Sequence, residues 1–484
     1  MKKYITTPIY YPNGDPHIGH AYTTVMCDIL RRAWKARNDE VIFTTGTDEH
    51  GQKMQEAAEA AGLSFEEFAD RQSARFRELA DLLNASPDFF IRTSMEEHKK
   101  VVHEWLSSAH EKGILVKKKY KGLYCVGCEQ FKKESDLDQR GFCTDHQKAP
   151  VEMEEENYFL PLEPHRQWLL KYIEDNPEWI QPESYKTEVL NMLAEPLEDL
   201  SISRPKSRVS CGVEFPFDSE QVVYVWYDAL INYVTSLKIL GADFDSYWAN
   251  SVHVIGKDII KPHCIFWPIM LRSFGLPPAS RTFIHGFFLG EGHVKMSKSI
   301  GNVIDPFETI AEFGTDALRF YFAHNAAIAK DSLITKDLLA SSYSVLANNF
   351  GNLYLRTFKM LEKYNNAEIP DAPQSEENKK ILLGLHRIVG RVGDIRDLSD
   401  IQTLATDILR LSSEMNGYID AAKPWALAKD ETKLDELMQV LNVLGQGIKY
   451  LAEAARPIMP DTAEKIIKSF ETKEPVVLFP KREY

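Results

Sequence analysis

The sequence predicts an α/β protein in two parts: a Rossmann-like, largely parallel sheet interrupted by an irregular insertion, then an all-α helix bundle. Three observations carry this. Up to about residue 325, short β-branched or aromatic runs alternate with helical patterns, as parallel strands joined by crossover helices require. Beyond it the pattern is almost purely helical, in amphipathic stretches that begin "LLASSYSVL", "NKKILLGLH", "IQTLATDIL" and "LDELMQVLN" and are separated by polar or proline-containing links. Residues 114–220 fit neither pattern, being rich in charge and holding most of the cysteines. The expected divisions are 1–113 and 221–325 for the two halves of the sheet domain, 114–220 for the insertion and 326–484 for the bundle.

Taken in order, "KYITTPIYY" reads as a short buried strand and "PNGDP" as a turn, after which Tyr22, Val25, Met26, Ile29, Leu30 and Ala33 follow helical spacing. "EVIFTTGTDEHG" runs an apolar strand into a polar end carrying Asp48 and His50. "SVHVIGKDIIKPH" repeats the device with Gly256, Lys257 and Asp258, and "RTFIHGFFLGEGHVKMSKSIGN" repeats it with Lys295 and Lys298 in a glycine-flanked loop. In open parallel sheets ligands bind beyond the carboxyl ends of the strands, so these polar clusters are expected to converge there.

Composition sets limits on this reading. At 44% hydrophobic and 26% charged residues, the chain is that of an ordinary globular protein. Its net charge of -14 argues against non-specific coating of nucleic acid while leaving local basic contacts open. The start, "MKKYITTPIYYP", lacks a signal-type apolar core, and no apolar run reaches the roughly 18 residues of a membrane span. A cytoplasmic, membrane-free setting is expected. Six cysteines in 484 residues make no disulfide scaffold.

His17 and His20 fall at the strand-to-helix junction, near the first helical turn. Unpaired backbone N–H groups and the positive end of the dipole gather there and favour an anion. Two imidazoles three apart add donors, and Gly19 between them admits a flat ring or a phosphate. By themselves these residues fit a pair of capping or surface histidines equally well. No G-x-G-x-x-G follows the first strand, so a dinucleotide cofactor is disfavoured against a nucleotide held by histidines and lysines.

In the insertion, Cys125 and Cys128 form a C-x2-C pair and Cys143 with His146 forms C-x2-H. Two such knuckles supply four soft ligands for a closed, structural Zn2+ site, one ion per chain. Thiols that merely lie close are the alternative. Cys27, Cys211 and Cys264 stand alone and read as core residues. The lysines at 117–119 and 121, with Lys132 and Lys133, could approach RNA but read more simply as a solvated face.

"PHIGH" and, far downstream, "KMSKS" together resemble the paired signatures of class I aminoacyl-tRNA synthetases. Either alone would fit nucleotidyltransferases that make small cofactors. The segments "PIYYPNGDPHIGHAYT", "TGTDEHGQK", "YVWYDALINYV", "VIGKDI", "FIHGFF", "KMSKSIGN" and "GTDALRFY" resemble the methionine-specific family of that class, and the likeness runs through nearly the whole chain. It implies ATP-dependent ligation of methionine to tRNA(Met), initiator tRNA included, through a methionyl-adenylate, by a monomer. It implies catalytic roles for His17, His20, Lys295 and Lys298, and ATP contacts from Gly19, Asp258, His285, Gly286 and Lys298, with Mg2+ accompanying ATP. By the same match Ile9, Tyr11, Trp226, Leu230, Tyr233, His263 and Trp267 line the amino-acid pocket and Asp48 pairs the substrate ammonium; each aromatic taken singly would read as core. Pro262 departs from the phenylalanine expected before His263. Asn352, Arg356 and Trp425 would read the anticodon, although a tryptophan is by default buried. The cysteine-specific enzyme remains a rival on size and zinc, though there the metal would read the substrate thiol. A small-molecule nucleotidyltransferase is a second, for which bundle and insertion have no purpose, and an RNA-binding paralogue without activity, which should have lost one signature, is a third.

Overall fold

In the computed structural model, residues 1–126, 130–132, 136–144, 147–294, 296 and 303–480 are described, 130 and 131 by backbone alone. The core is a six-stranded, wholly parallel sheet. Its strands in chain order are β1 (Lys2–Thr6), β2 (Glu40–Thr47), β3 (Phe89–Arg92), β4 (Ile180–Gln181), β5 (Ser251–Gly256) and β6 (Arg281–His285), and they lie side by side as β3-β2-β1-β5-β6-β4. The order reverses direction between β1 and β5, and a crevice opens at such a point beyond the carboxyl ends of the two strands. Tyr4, Ile5, Phe43, Val254 and Ile255 are buried within the sheet, which has helices on its faces and so needs apolar side chains on both.

The first strand is shorter than "KYITTPIYY" suggests. Pro8 has no N–H to give a ladder, and the chain rejoins β2 only at Tyr10, which bridges Thr47. The helix that follows, α1 (Ile18–Ala36), is buried along almost its whole length, including Cys27.

The insertion folds around antiparallel strands Val116–Cys125, Gln130–Lys132, Val151–Leu160 and Leu200–Ser201. It is less separate than the division at 114–220 implies, because β4 lies inside that span yet pairs with β6 at the edge of the main sheet. The boundary at 326 is crossed as well: Ser332–Leu333 pairs in parallel with Phe288–Leu289. On the lysine-rich strand Lys117 pairs with Asp218, Lys118 with Asp199 and Lys121 with Glu152.

The C-terminal part comprises α2 (Thr315–Asn325), α3 (Lys336–Leu346), α4 (Asn352–Asn365), α5 (Glu376–Asp394), α6 (Leu398–Ala422), α7 (Leu434–Ala455) and α8 (Pro460–Thr472). A π turn at Ala347–Gly351 joins α3 to α4 without a break, so the first amphipathic stretch is two helices in line. The bundle is tied into the sheet domain by more than apolar packing. Arg319, fully buried, bonds Asp28 of α1 at 2.8 Å, the Leu83 carbonyl at 3.0 Å, and the Pro457 and Ile458 carbonyls at 2.8 Å each. A buried guanidinium is tolerable only when its charge is matched and its donors are met, and these partners come from both halves of the molecule. The Trp34 indole N–H adds a second tie to the Ile395 carbonyl at 3.0 Å.

Candidate active site

The carboxyl end of β1 leads into the histidine turn. His17 is the N-cap of α1, with its Nδ1 accepting the Gly19 N–H at 3.1 Å, and His20 reaches back so that its Nδ1 accepts the His17 N–H at 3.1 Å. The two rings stack at 3.7 Å. The capping reading is therefore realised, and it bears on phosphate chemistry. A ring nitrogen that accepts a backbone N–H carries no proton, so each neutral imidazole keeps its hydrogen on Nε2 as a donor. Burial, then the neighbouring His17, push His20 well below the usual imidazole range, so it is neutral at pH 7. Gly19 leaves room for the His17 ring, since a Cβ there would sit 3.1 Å from it.

Across the crevice, β5 ends at Gly256 and β6 at His285. A Cβ on Gly256 would lie 2.7 Å from Asp258 Oδ1 and 3.7 Å from His285 Cε1, so these three residues meet at one point. Thr23 Oγ1 of α1 lies 2.9 Å from His285 Nε2, which brings the histidine turn to the same place. Burial lowers His285 to about 4 despite its bond to the Gly286 carbonyl, leaving it neutral. Gly286 has a plain steric reason to be glycine: a Cβ would come within 2.3 Å of the Lys330 carbonyl oxygen. Lys257 is ion-paired with Asp331 at 2.8 Å. Lys295 and Lys298 lie outside the described residues.

Beside this crevice lie the residues expected to line an amino-acid pocket. The Asp48 N–H bonds the Tyr10 carbonyl at 2.8 Å, which sets Tyr11 and the buried Asp48 next to one another. Trp226, Leu230 and Tyr233 lie on one helix, Val225–Ile239. The Tyr233 hydroxyl is 2.7 Å from His263 Nε2, the rings of Trp226 and His263 meet edge-on at 6.2 Å, and those of Tyr233 and Trp267 lie 5.9 Å apart. His263 Nδ1 donates to the Ile259 carbonyl at 2.9 Å, so Nε2 accepts from Tyr233, and burial lowers the ring to about 4. Core and pocket readings coexist here: Leu230, Tyr233, His263 and Trp267 are buried, while Ile9, Tyr11 and Trp226 are half-buried. Pro262 opens a π turn, Pro262–Phe266, at a place where its missing N–H breaks the regular ladder. The turn places His263 against Tyr233 in spite of that departure.

The cysteines divide. Cys125 ends the long strand Val116–Cys125, Cys143 bridges Leu137, and both are buried. Cys128 and His146 lie outside the described residues, and among the described residues no group of three metal-type side chains comes together. Cys27 and Cys264 are core as expected. Cys211 is not: it is half-buried, in a loop whose Sγ donates to the Gly51 carbonyl at 3.2 Å beside the site.

A family model described as tRNA synthetases class I (M) matches residues 3–145 and 133–358. The chain belongs to this class I synthetase family. Among its relatives are the methionine–tRNA ligase of Caldanaerobacter subterraneus subsp. tengcongensis, 39% identical over 98% of this chain and 75% of that protein, and that of Clostridium acetobutylicum, 41% identical over 96% and 72%. The fold matches the Mycobacterium tuberculosis methionyl-tRNA synthetase in complex with methionyl-adenylate with a TM-score of 0.93 at 32% identity, over 99% of this chain and 100% of that one.

In this class I synthetase the bundle carries the three residues expected to contact RNA. Trp425 is 44% exposed at the head of a short helix, Pro424–Leu427, so the default of a buried tryptophan does not hold. Asn352, exposed, begins α4, and Arg356 one turn on bonds Asp420 of α6 at 2.6 Å. Among the described residues no helix is long and apolar enough to cross a membrane. Sequence reasoning missed the buried polar contacts behind the site, chiefly those of Glu49, Asp228 and His98; the only signal was an acidic residue, Asp228, within a largely apolar helix that also carries Asn232, Thr235 and Ser236.

Proposed function

We propose that this chain ligates methionine to tRNA in two steps, with ATP as the energy source. The observation that carries the reading is the convergence, at the reversal of the sheet order, of two neutral Nε2–H histidines with the aromatic pocket beside them, in a chain related throughout its length to methionine–tRNA ligases. Methionine, its ammonium on Asp48 and its thioether against the aromatic wall, directs its carboxylate at the α-phosphorus of ATP. Sulfur is polarisable and makes favourable edge contacts with rings, which suits Trp226 and Tyr11. The carboxylate oxygen forms a bond to phosphorus, the bond to pyrophosphate breaks, and the leaving pyrophosphate takes the electron pair. His17 and His20 donate to the phosphates, Asp258 holds the ribose beside Gly256 and His285, and Lys295 and Lys298 meet the charge of the leaving group. The catalytic work is positioning and charge stabilisation. Mg2+ would accompany ATP and offset part of the phosphate charge. A ribose hydroxyl at the tRNA terminus then attacks the activated carbonyl and AMP leaves. Amino-acid-dependent ATP–pyrophosphate exchange tests this reading, and methionine is the expected substrate.

Asn352, Arg356 and Trp425 serve tRNA choice: the indole stacks a base, and amide and guanidinium offer hydrogen bonds. The exposure of Trp425 and Asn352 supports that role.

The insertion holds one structural zinc. The donor set fits: Cys125 and Cys143 bring buried thiols from one small subdomain, and Cys128 and His146 complete a C-x2-C, C-x2-H set. Zinc would hold the insertion together and takes no part in the reaction. Elemental analysis of protein purified without added metal is expected to give about one zinc per chain, with chelation lowering the melting temperature. Metal-free protein that melts unchanged would contradict this.

A further inference from the structure

Asp228 lies on the pocket-wall helix, but not on the face that carries Trp226, Leu230 and Tyr233. Its carboxylate is 1% exposed and faces two imidazoles: His50 Nδ1 at 2.6 Å from Oδ2 and His98 Nε2 at 2.9 Å from Oδ1. His98, also buried, continues to Thr235 Oγ1 at 3.2 Å, one face of the same helix. His50 is two residues from Asp48. Between them, Glu49 is fully buried and held from the other side, by Arg92 Nε at 2.8 Å, Thr47 Oγ1 at 2.7 Å and the Ser94 hydroxyl, with its own N–H on Thr93 Oγ1 at 2.9 Å. The segment that bears Asp48 is thus clamped at both neighbours.

We infer that Asp228 is a positioning residue for methionine: through His50 it fixes Asp48 at a set place relative to the aromatic wall on Asp228's own helix. The inference rests on the proposed function. A carboxylate suits the task because both of its oxygens accept, so two N–H donors from separate elements, the Asp48 loop and helix Glu96–Glu111, are drawn to one point. Burial alone would favour the protonated acid, but the hydrogen bonds from the His50 and His98 rings hold Asp228 ionised, below the usual carboxylate range. Apolar packing could hold the helix in place. It could not set a hydrogen-bonded distance from that helix to the Asp48 loop.

The test is Asp228→Asn, which keeps the shape but offers one donor and one acceptor where two acceptors are needed. In ATP–pyrophosphate exchange the KM for methionine is expected to rise about tenfold or more, with the KM for ATP little changed, because small displacements of a positioning group are felt strongly. A folded variant with wild-type KM for methionine, or with methionine and ATP affected alike, would overturn the inference. Should Asp228→Asn fail to fold, His50 decides. His50→Ala is expected to raise the methionine KM and His50→Asn, whose amide N–H can occupy the place of Nδ1, to restore it; equal behaviour of the two variants overturns the inference. Failure of the wild-type protein to use methionine would instead overturn the functional reading.

Discussion

Replacing His20 by alanine is expected to slow methionine-dependent ATP–pyrophosphate exchange by about a hundred- to a thousandfold, the loss seen when one preorganised donor to a transition-state oxyanion is removed. The reason lies in the cap. The His17 N–H occupies His20 Nδ1 at 3.1 Å, which leaves Nε2–H as the only donor of the neutral ring and aims it away from the helix end. The ring is packed against Tyr10 at 4.6 Å and Phe76 at 5.1 Å, which favours this orientation. The substitution also removes one capping bond, at about 1 kcal/mol of stability. A thermal melt separates the two effects. His20→Gln, whose amide nitrogen can reach the Nε2 position, is expected to recover part of the rate. Unchanged exchange in a folded His20→Ala protein would remove the histidine turn from the phosphate site.

Replacing Trp425 by alanine is expected to act on the other substrate alone. An exposed indole that stacks an unpaired base contributes about 1 to 3 kcal/mol, so kcat/KM for tRNA aminoacylation should fall about five- to a hundredfold. Exchange without tRNA should be unaffected, because the residue sits on the short helix Pro424–Leu427 of the C-terminal bundle and not at the sheet ends. Its exposure also makes the change cheap in stability, since surface side chains away from caps and networks alter it by only about 0.5 kcal/mol. Equal loss in both assays would place Trp425 in folding and not in tRNA recognition.

Local chemistry was legible in the sequence wherever one segment carried it. The turn "PNGDP", the two histidines with glycine between them and the strand ends of β5 and β6 could be read as a site at a parallel-sheet edge. So could the helical character of the bundle. Contacts between distant segments left no such trace. Nothing in the order of residues says that Asp228 meets His50 and His98, that Arg319 reaches Asp28 and two carbonyls near the C-terminus, or that Gly286 is glycine because the Lys330 backbone passes over it. Short elements were lost for a different reason. Ile180–Gln181 is two residues long and precedes a proline, too little for any periodicity, yet its place at the sheet edge is set by pairing with β6. The π turn at Ala347–Gly351 was invisible because it keeps a helical apolar pattern while widening one turn.

The most direct test of the account is ATP–pyrophosphate exchange by the wild-type protein with each of the protein amino acids offered singly. Methionine should support exchange, and cysteine and the branched aliphatic residues should not do so at comparable kcat/KM. Exchange driven best by another amino acid would mean that the wall of Tyr11, Trp226, Tyr233 and His263 does not select a thioether, and exchange with none would contradict adenylate formation at the histidine turn altogether.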